Sequence, residues 1–319
     1  MSRYRIVAPT AALTFAAVLP LLLIASPAAR AQTAADPNLY VAEYFQENIF
    51  RVAPDGTGKT TFTAPLGTGN RFDQMAFAPS GNLYVTTNNG GNIIHTFSPT
   101  GSFLGNLITS NSGADGIAID SSGNIYASGG SSVGKYTASG AFLYTLTAGI
   151  NGAYSLALDT SSNLYVANYG SGTVRKFSST GTDLGVFASG LGTTEGVAVD
   201  PFGNVYVSSR SLNNLQEFNA AGSLLNTYTG FNDPLGVASD NVGNIYVASY
   251  SHGASGSGFI SKILSSGQNL GKIVSGGNPD GLAFRVPLAG GAAAPEPSSL
   301  LLLILPVVGT VVARRRKIN

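Results

Sequence analysis

The chain has 319 residues, of which only 10% are charged, and a formal net charge of +1. It contains no cysteine, which excludes a disulfide framework and thiolate chemistry. Gly, Ser, Thr and Asn abound, a composition that disfavours long exposed helices and favours many short strands joined by tight turns. The length suits one large all-β domain or two ordinary domains.

The first 31 residues have the pattern of a secretory signal peptide. Arg3 and Arg5 precede an apolar run from Ile6 to Ala25, and residues 29–31 have the A-x-A form of a cleavage site. We therefore expect residues 1–31 to be removed; the alternative is a membrane-spanning anchor. Residues 32–294 then hold 10 Lys and Arg against 15 Asp and Glu, a formal charge of −5. Such a mildly acidic body offers no basic patch for nucleic acid.

Residues 36–288 are built from repeated copies of one unit. An Asn-aliphatic-Tyr phrase recurs every 39 to 44 residues, beginning at Asn38, Asn82, Asn124, Asn163, Asn204 and Asn244. Each copy belongs to a unit of four short segments with near period-2 alternation, separated by turns that contain small residues. Four strands in a repeat of about 40 residues are the signature of a β-propeller blade.

The two ends of this region complete each other. The segment 281–285 has no Asn-aliphatic-Tyr phrase after it, and the phrase at Asn38 has no inner segment before it. We therefore predict that 281–285 forms the inner strand of the first blade, which closes the ring and leaves no free sheet edge there. The predicted fold is an all-β, six-bladed propeller with four antiparallel strands per blade and targeting helices outside the fold.

Two residue types that recur in the repeat are predicted to be structural. An Asp opens each tight D-x-x-G-N turn or its variant, at Asp120, Asp159, Asp200 and Asp240. The tyrosine of the Asn-aliphatic-Tyr phrase occupies the same position in every blade, which favours packing between blades.

The last predicted elements are a small-residue linker, 289–294, and a tail, 295–319. The tail opens with Pro295, Glu296 and Pro297, continues with an uncharged apolar stretch over 300–313, and then has the basic residues Arg314, Arg315 and Arg316. This order resembles the PEP-CTERM sorting tail of Gram-negative bacteria. The resemblance implies transient anchoring in the inner membrane and cleavage by an exosortase-type enzyme. A plain C-terminal membrane anchor is the alternative, and both place the body outside the cytoplasm.

The phrase G-[IV]-A-V-D-x-x-G-N-[IV]-Y-V, followed by V-x-K-F-x-x-x-G, resembles the NHL repeat over nearly all of 36–286. The copies at 115–141 and 195–223 are nearest to the pattern. The copy at 73–101 departs from it, and the copy at 154–166 has Ser162 where the others have the turn Gly. The resemblance implies a propeller that is usually a binding platform and sometimes an enzyme.

In a propeller, the residue before each inner strand lies at the mouth of the central channel. In ring order these positions are Asp280, Asp73, Asp115, Tyr154, Glu195 and Leu235. Crowded carboxylates raise one another's pKa values or require a cation, and hard oxygen ligands favour Ca²⁺. Three alternatives remain open for the four acidic residues: ordinary turn residues, ligands of a structural Ca²⁺ ion, or ligands of a catalytic ion.

The pairs Glu195-Gly196, Asp115-Gly116 and Asp280-Gly281 are similar to those of the gluconolactonase and senescence-marker family. In that family of six-bladed metal-dependent lactonases, Glu-Gly, Asn-Gly and Asp-Gly pairs on separate blades hold a divalent ion. The resemblance implies a Ca²⁺-dependent lactonase or esterase. The sequence departs from the pattern because no Asn precedes Gly at any other mouth position.

The loops between second and third strands are expected on the same face as the mouth. These loops offer Tyr44, Asn88, Tyr169, Arg210, Tyr250 and His252, and the mouth position Tyr154 adds a further aromatic ring. Rigid aromatic rings beside polar side chains suit a glycan, peptide or protein ligand, whereas solvated loop tips are the alternative. His252 could act as a general base, although its Gly and Ser neighbours favour a mobile loop residue.

The chain has no P-loop, no G-x-S-x-G and no H-E-x-x-H motif, so no catalytic residue is assigned. The sequence therefore favours an exported, non-catalytic binding module at the cell surface or in extracellular matrix. A Ca²⁺-dependent lactonase or esterase and a structural matrix protein without a specific ligand are the alternatives.

Overall fold

A computed structural model describes residues 37–44, 47–67, 69, 71–87, 93–109, 114–250 and 256–285. These residues form strands, turns and loops, as the short alternating segments predict. The predicted signal peptide, the linker and the sorting tail lie outside the described residues. In the ranges that are described, no helix has the length and apolar character needed to cross a membrane.

The strands form six four-stranded antiparallel sheets, which are the blades. Blade 1 contains β1 (Leu39–Glu43), β2 (Asn48–Val52), β3 (Thr60–Thr61) and β24 (Pro279–Phe284). Blade 2 contains β4 (Phe72–Phe77), β5 (Leu83–Thr87), β6 (Ile93–Phe97) and β7 (Phe103–Thr109). Blade 3 contains β8 (Ile117–Ile119), β9 (Ile125–Gly129), β10 (Ser132–Tyr136) and β11 (Phe142–Leu146).

The remaining three blades have the same order from the innermost strand outwards. Blade 4 contains β12 (Ala153–Leu158), β13 (Leu164–Asn168), β14 (Thr173–Phe177) and β15 (Asp183–Ala188). Blade 5 contains β16 (Thr194–Val199), β17 (Val205–Ser209), β18 (Asn214–Phe218) and β19 (Leu224–Tyr228). Blade 6 contains β20 (Pro234–Ser239), β21 (Ile245–Ser249), β22 (Phe259–Ile263) and β23 (Asn269–Ser275).

The last strand of the fold closes the ring, as predicted. Strand β24 pairs antiparallel with β1, with Leu39 opposite Phe284 and Val41 opposite Leu282. The strand begins at Pro279 and ends at Phe284, so its bounds lie slightly before the predicted range of 281–285. The six innermost strands contact one another around the whole ring.

The repeated tyrosines pack between blades, which confirms their predicted structural role. Tyr40, Tyr84, Tyr126, Tyr165, Tyr206 and Tyr246 are all buried. Tyr165 of blade 4, for example, belongs to a cluster that contains Val197 and Val207 of blade 5. Burying an aromatic side chain removes a large apolar area from water, so each blade interface gains much of its stability from this position.

The repeated aspartates cap the turn after the inner strand in blades 3 to 6, at the end of the blade opposite the mouth. In blade 6, Asp240 accepts hydrogen bonds from the amide nitrogens of Val242 and Asn244, at 3.1 and 2.8 Å. It also accepts from the side-chain nitrogen of Asn244, at 2.7 Å. The Asp and the Asn of the D-x-x-G-N phrase therefore stabilise the turn together, as the sequence predicts for the Asp.

At the mouth, the backbones of neighbouring inner strands approach too closely for a side chain. A Cβ atom on Gly281 would lie 2.0 Å from the Asp73 carbonyl oxygen, and one on Gly196 would lie 2.2 Å from the Leu235 carbonyl oxygen. The Ser208 hydroxyl accepts from the Gly196 amide nitrogen and donates to the Leu235 carbonyl oxygen, at 2.7 and 2.6 Å. Glycine is therefore required at these two positions, where the backbones of neighbouring inner strands come closest.

Candidate functional site

Side chains from four blades form one cleft at the mouth of the channel. The cleft has about 420 Å³ of empty volume, counted out to its open end, and is lined by Tyr44, Tyr154, Glu195, Arg210, Leu235, Tyr250 and Asp280. Glu195, Leu235, Asp280 and Tyr154 come from the starts of inner strands, and the other three follow second strands. The sequence placed all seven on this face, and the structure shows which of them share one cleft.

Tyr169 lies beside the cleft rather than in its wall. Its ring centroid is 6.3 Å from that of Tyr154, and its side chain is 46% exposed. On the opposite flank, the rings of Tyr44 and Tyr250 meet edge to face with centroids 6.2 Å apart. Two aromatic pairs therefore flank the opening from different blades.

Tyr154 spans the channel. It begins in blade 4, yet its hydroxyl donates to Oδ1 of Asp73 in blade 2, at 3.4 Å. Asp73 is 0% exposed and does not line the cleft. The tyrosine therefore links the wall of the cleft to the carboxyl group of Asp73.

Two mouth carboxyl groups are buried without full hydrogen bonding. Among the described residues, Oδ2 of Asp73 and Oδ1 of Asp280 have no hydrogen-bond partner. Burial raises the pKa of Asp73 well above its ordinary value, and the nearby charges of Asp280, Asp115 and Glu195 raise it further. Burial, and then the charge of Glu195, likewise raise the pKa of Asp280 well above its ordinary value. Both carboxyl groups therefore hold their protons to higher pH than ordinary aspartates do.

Glu195 differs from the two aspartates because it has a cationic partner. Its Oε1 lies 3.0 Å from Nη1 of Arg210, whose Nε lies 3.6 Å from Oδ1 of Asp233. Burial raises the pKa of Glu195, and the hydrogen bond from Arg210 opposes that shift. Asp115, the fourth acidic mouth residue, is half-buried and does not line the cleft, and burial raises its pKa.

The sequence analysis missed two charged residues of this face. Asp233 pairs with Arg210, and Arg71 donates a hydrogen bond to the Tyr44 hydroxyl at 2.9 Å. Arg71 and Asp233 each stand two residues before a predicted mouth position, Asp73 and Leu235. The residue two positions upstream of the mouth position therefore also belongs to this face in blades 2 and 6.

The mouth carboxyl groups do not fit the Ca²⁺ site that the lactonase resemblance implies. Among the residues that the structure describes, no three His, Cys, Asp or Glu side chains are grouped so that they could hold a metal ion. Glu195 is engaged by Arg210, and Asp73 receives the Tyr154 hydroxyl. Asn88, His252 and the sorting residues Pro295, Glu296, Pro297, Arg314, Arg315 and Arg316 lie outside the described residues.

No family model matches the sequence, and no curated protein matches it. Similar solved structures exist at low sequence identity. A protein of unknown function from Bacteroides caccae is 16% identical, with a TM-score of 0.62 over 77% of this chain and 98% of that one. A chain of a nidogen/laminin complex is 17% identical, with a TM-score of 0.67 over 78% of this chain and 98% of that one.

A streptogramin B lyase is also similar, at 18% identity and a TM-score of 0.60 over 79% of this chain and 85% of that one. At such identities the likeness shows the fold alone. The chain is therefore a six-bladed β-propeller whose structural neighbours include both a protein found in a complex and a lyase.

Proposed function

We propose that this protein is a non-catalytic binding module of the NHL type, which presents the channel-mouth cleft to a glycan, peptide or protein partner. The observation that carries the proposal is the convergence of three tyrosines, two acidic residues and one arginine in a single cleft. Concave sites with aromatic walls and a few polar groups are the usual form of ligand pockets.

The scaffold supports binding because the cleft residues are held before any ligand arrives. Glu195 and Asp280 are 2% and 1% exposed, and both belong to inner strands of the ring. Arg210 is held between Glu195 and Asp233. A ligand that enters such a site orders few side chains, so little of its binding free energy is lost to conformational entropy.

The proposal includes export. Residues 1–31 act as a signal peptide, and residues 295–319 act as a PEP-CTERM tail that anchors the chain in the inner membrane until an exosortase-type enzyme cleaves it. The propeller then operates at the cell surface or in extracellular matrix of a Gram-negative bacterium. Support comes from the order of motifs in the sequence: a basic start, an apolar run, and Pro-Glu-Pro with a terminal arginine cluster.

The alternatives have less support. A Ca²⁺-dependent lactonase or esterase needs grouped ligands, and the described part of the chain has no such group of three. A structural matrix protein without a ligand would not need buried carboxyl groups that lack partners, because such groups cost stability.

Binding of the purified protein to glycan and peptide arrays tests the proposal. We expect specific binding that weakens by about tenfold or more in Tyr250→Ala, because buried aromatic anchors dominate binding energies. The matched control is Phe202→Ala, which removes a 72% exposed aromatic ring from a turn on the opposite face and should leave binding unchanged.

Binding that survives Tyr250→Ala and Tyr169→Ala together, or that is lost in Phe202→Ala, would place the ligand elsewhere and overturn the proposal. Hydrolysis of a lactone by the purified protein that is lost on replacing Asp280 and Glu195 would favour the enzyme instead.

A further inference from the structure

We infer that the cleft binds the ammonium group of its ligand, with Asp280 as the acceptor and the tyrosine rings as walls. This inference rests on the proposed function and names the chemical class of ligand that the same site takes. The ligand is a primary amine, either an amino sugar of a glycan or a lysine side chain of a peptide.

The charge around the cleft favours a cation. The described mouth residues include five carboxyl groups, of Asp73, Asp115, Glu195, Asp233 and Asp280, against the two guanidinium groups of Arg71 and Arg210. Arg210 already forms ion pairs with Glu195 and Asp233, with nitrogen–oxygen distances of 3.0 and 3.6 Å, so two carboxylates offset its positive charge. The potential in the cleft is therefore negative when these groups are ionised, and it attracts a positive ligand group.

Asp280 supplies a specific acceptor. It lines the cleft, it is 1% exposed, and its Oδ1 has no hydrogen-bond partner among the described residues. Buried polar atoms almost always have partners, so an unpaired oxygen on a residue that lines the cleft indicates a missing donor. An ammonium group supplies up to three donors and the opposite charge at once.

The aromatic walls suit the same group. Tyr44, Tyr154 and Tyr250 line the cleft beside Asp280. A cation over the face of a tyrosine ring is attracted by the negative potential of the ring. The rings also cover the carbon atoms next to the ammonium group, whether they belong to a sugar ring or to an alkyl chain.

The pH dependence of binding follows from the groups that face Asp280. These are Glu195, Arg210, Asp115, Asp73 and Tyr154. Burial raises the pKa of Asp280 well above its ordinary value, so an ammonium group competes with a proton for this carboxyl group. Affinity for a permanently charged amine should therefore rise with pH as the carboxyl groups ionise.

Calorimetric titration with two matched pairs of probes tests the inference. The pairs are glucosamine with N-acetylglucosamine, and Nα-acetyl-lysine amide with its Nε-acetylated form; acetylation removes the charge of each amine and keeps the carbon skeleton. We expect at least one amine to bind about tenfold more tightly than its acetylated counterpart, because hydrogen bonds to charged groups are the stronger ones. The pair with the larger ratio identifies the source of the amine.

Asp280→Asn should abolish this preference, since it keeps the shape and removes the charge. Asp55→Asn, which changes an exposed turn residue of the same blade on the opposite face, should keep it. If Asp280→Asn does not fold, the native protein decides: affinity for the lysine probe, whose amine stays charged below about pH 10, should rise between pH 5 and 8.

Equal affinity for amine and acetylated probes, or binding that does not change with pH, would overturn the inference and leave the binding module intact. Absence of binding by all four probes would also overturn it. The proposed function is then judged separately by the array experiment, in which a neutral or anionic ligand can still appear.

Discussion

The two ends of each blade use buried acidic residues in opposite ways. At the closed turns, Asp240 is 8% exposed and accepts three hydrogen bonds from Val242 and Asn244. At the mouth, Asp73 and Asp280 are buried more deeply, yet each has an oxygen without a partner among the described residues. Aspartate side chains therefore stabilise the ring at the turns, whereas at the mouth their burial without full hydrogen bonding costs stability.

This difference teaches which acidic residues serve the fold and which are candidates for function. A buried carboxylate is stabilising only when its hydrogen-bonding capacity is filled. The turn aspartates meet that condition within their own blade, so they need nothing from outside. The mouth aspartates do not meet it. Buried polar groups that lack hydrogen-bond partners in the free protein are expected at a site where a ligand supplies those partners.

The largest expected effect is at the turn. Asp240→Ala removes the acceptor of four hydrogen bonds, two of them from backbone amides, and should lower the free energy of unfolding by about 3 kcal/mol. Urea denaturation measures this change. Asp55→Ala, which removes an exposed turn residue that accepts two hydrogen bonds from Thr57, should cost clearly less. Equal losses in the two variants would show that the turn aspartate is not specially important.

Replacing the mouth aspartates should change the free energy of unfolding in the opposite direction. Replacing Asp73 and Asp280 together by Asn removes two buried, mutually repelling acids and should raise the free energy of unfolding by about 2 kcal/mol at pH 8. The same urea experiment tests this, with Asp240→Asn as the matched turn variant that should lose stability. A loss in the mouth variant would mean that the carboxyl groups have partners that stabilise them.

The pH dependence of stability should report the ionisation of the mouth carboxyl groups. Because the pKa values of Asp73 and Asp280 are raised in the folded state, the folded protein binds more protons than the unfolded chain above the ordinary value of 3.8. Stability at the mouth is therefore full at acid pH and is lost as pH rises through the folded pKa values. We expect the melting temperature to fall between pH 5 and 8 by more in the native protein than in the double Asn variant.

His95 acts in the opposite direction, because burial lowers its pKa and favours the neutral ring as pH rises. It is present in both proteins, so the difference between the two melting curves isolates the mouth. Identical curves would contradict the raised pKa values.

The smallest expected effect is at the residue that spans the channel. Tyr154→Phe removes the hydrogen bond to Asp73 and should lower the free energy of unfolding by about 0.5 to 1 kcal/mol. A double-mutant cycle with Asp73→Ala, which removes the acceptor, should give a coupling energy different from zero. Additive effects would show that the two side chains act independently.

The fold was predictable from the sequence because its information is local and repeated. Six copies of one phrase give the blade count, and the half-phrase at 281–285 finds its partner at Asn38. The exact strand ends could not be predicted. Strand β24 starts at Pro279 because a register shift lets Pro279 pair with Glu43, and the repeat pattern does not encode that shift.

The site was predictable only in part. Topology brings Asp280, Asp73 and Glu195 to one mouth, as the sequence indicated. It does not determine that Tyr154 reaches across the channel to Asp73, or that Asp280 lines the cleft while Asp73 does not. A repeat pattern predicts the positions of strands but not the contacts of single side chains.

A pH titration of the aspartate side-chain carboxyl carbons by NMR tests the central claim most directly. The account predicts that Asp280 titrates well above the ordinary aspartate value of 3.8, and that its pKa falls when an amine ligand occupies the cleft. An Asp280 carboxyl that titrates at or below 3.8 in the free protein would contradict it.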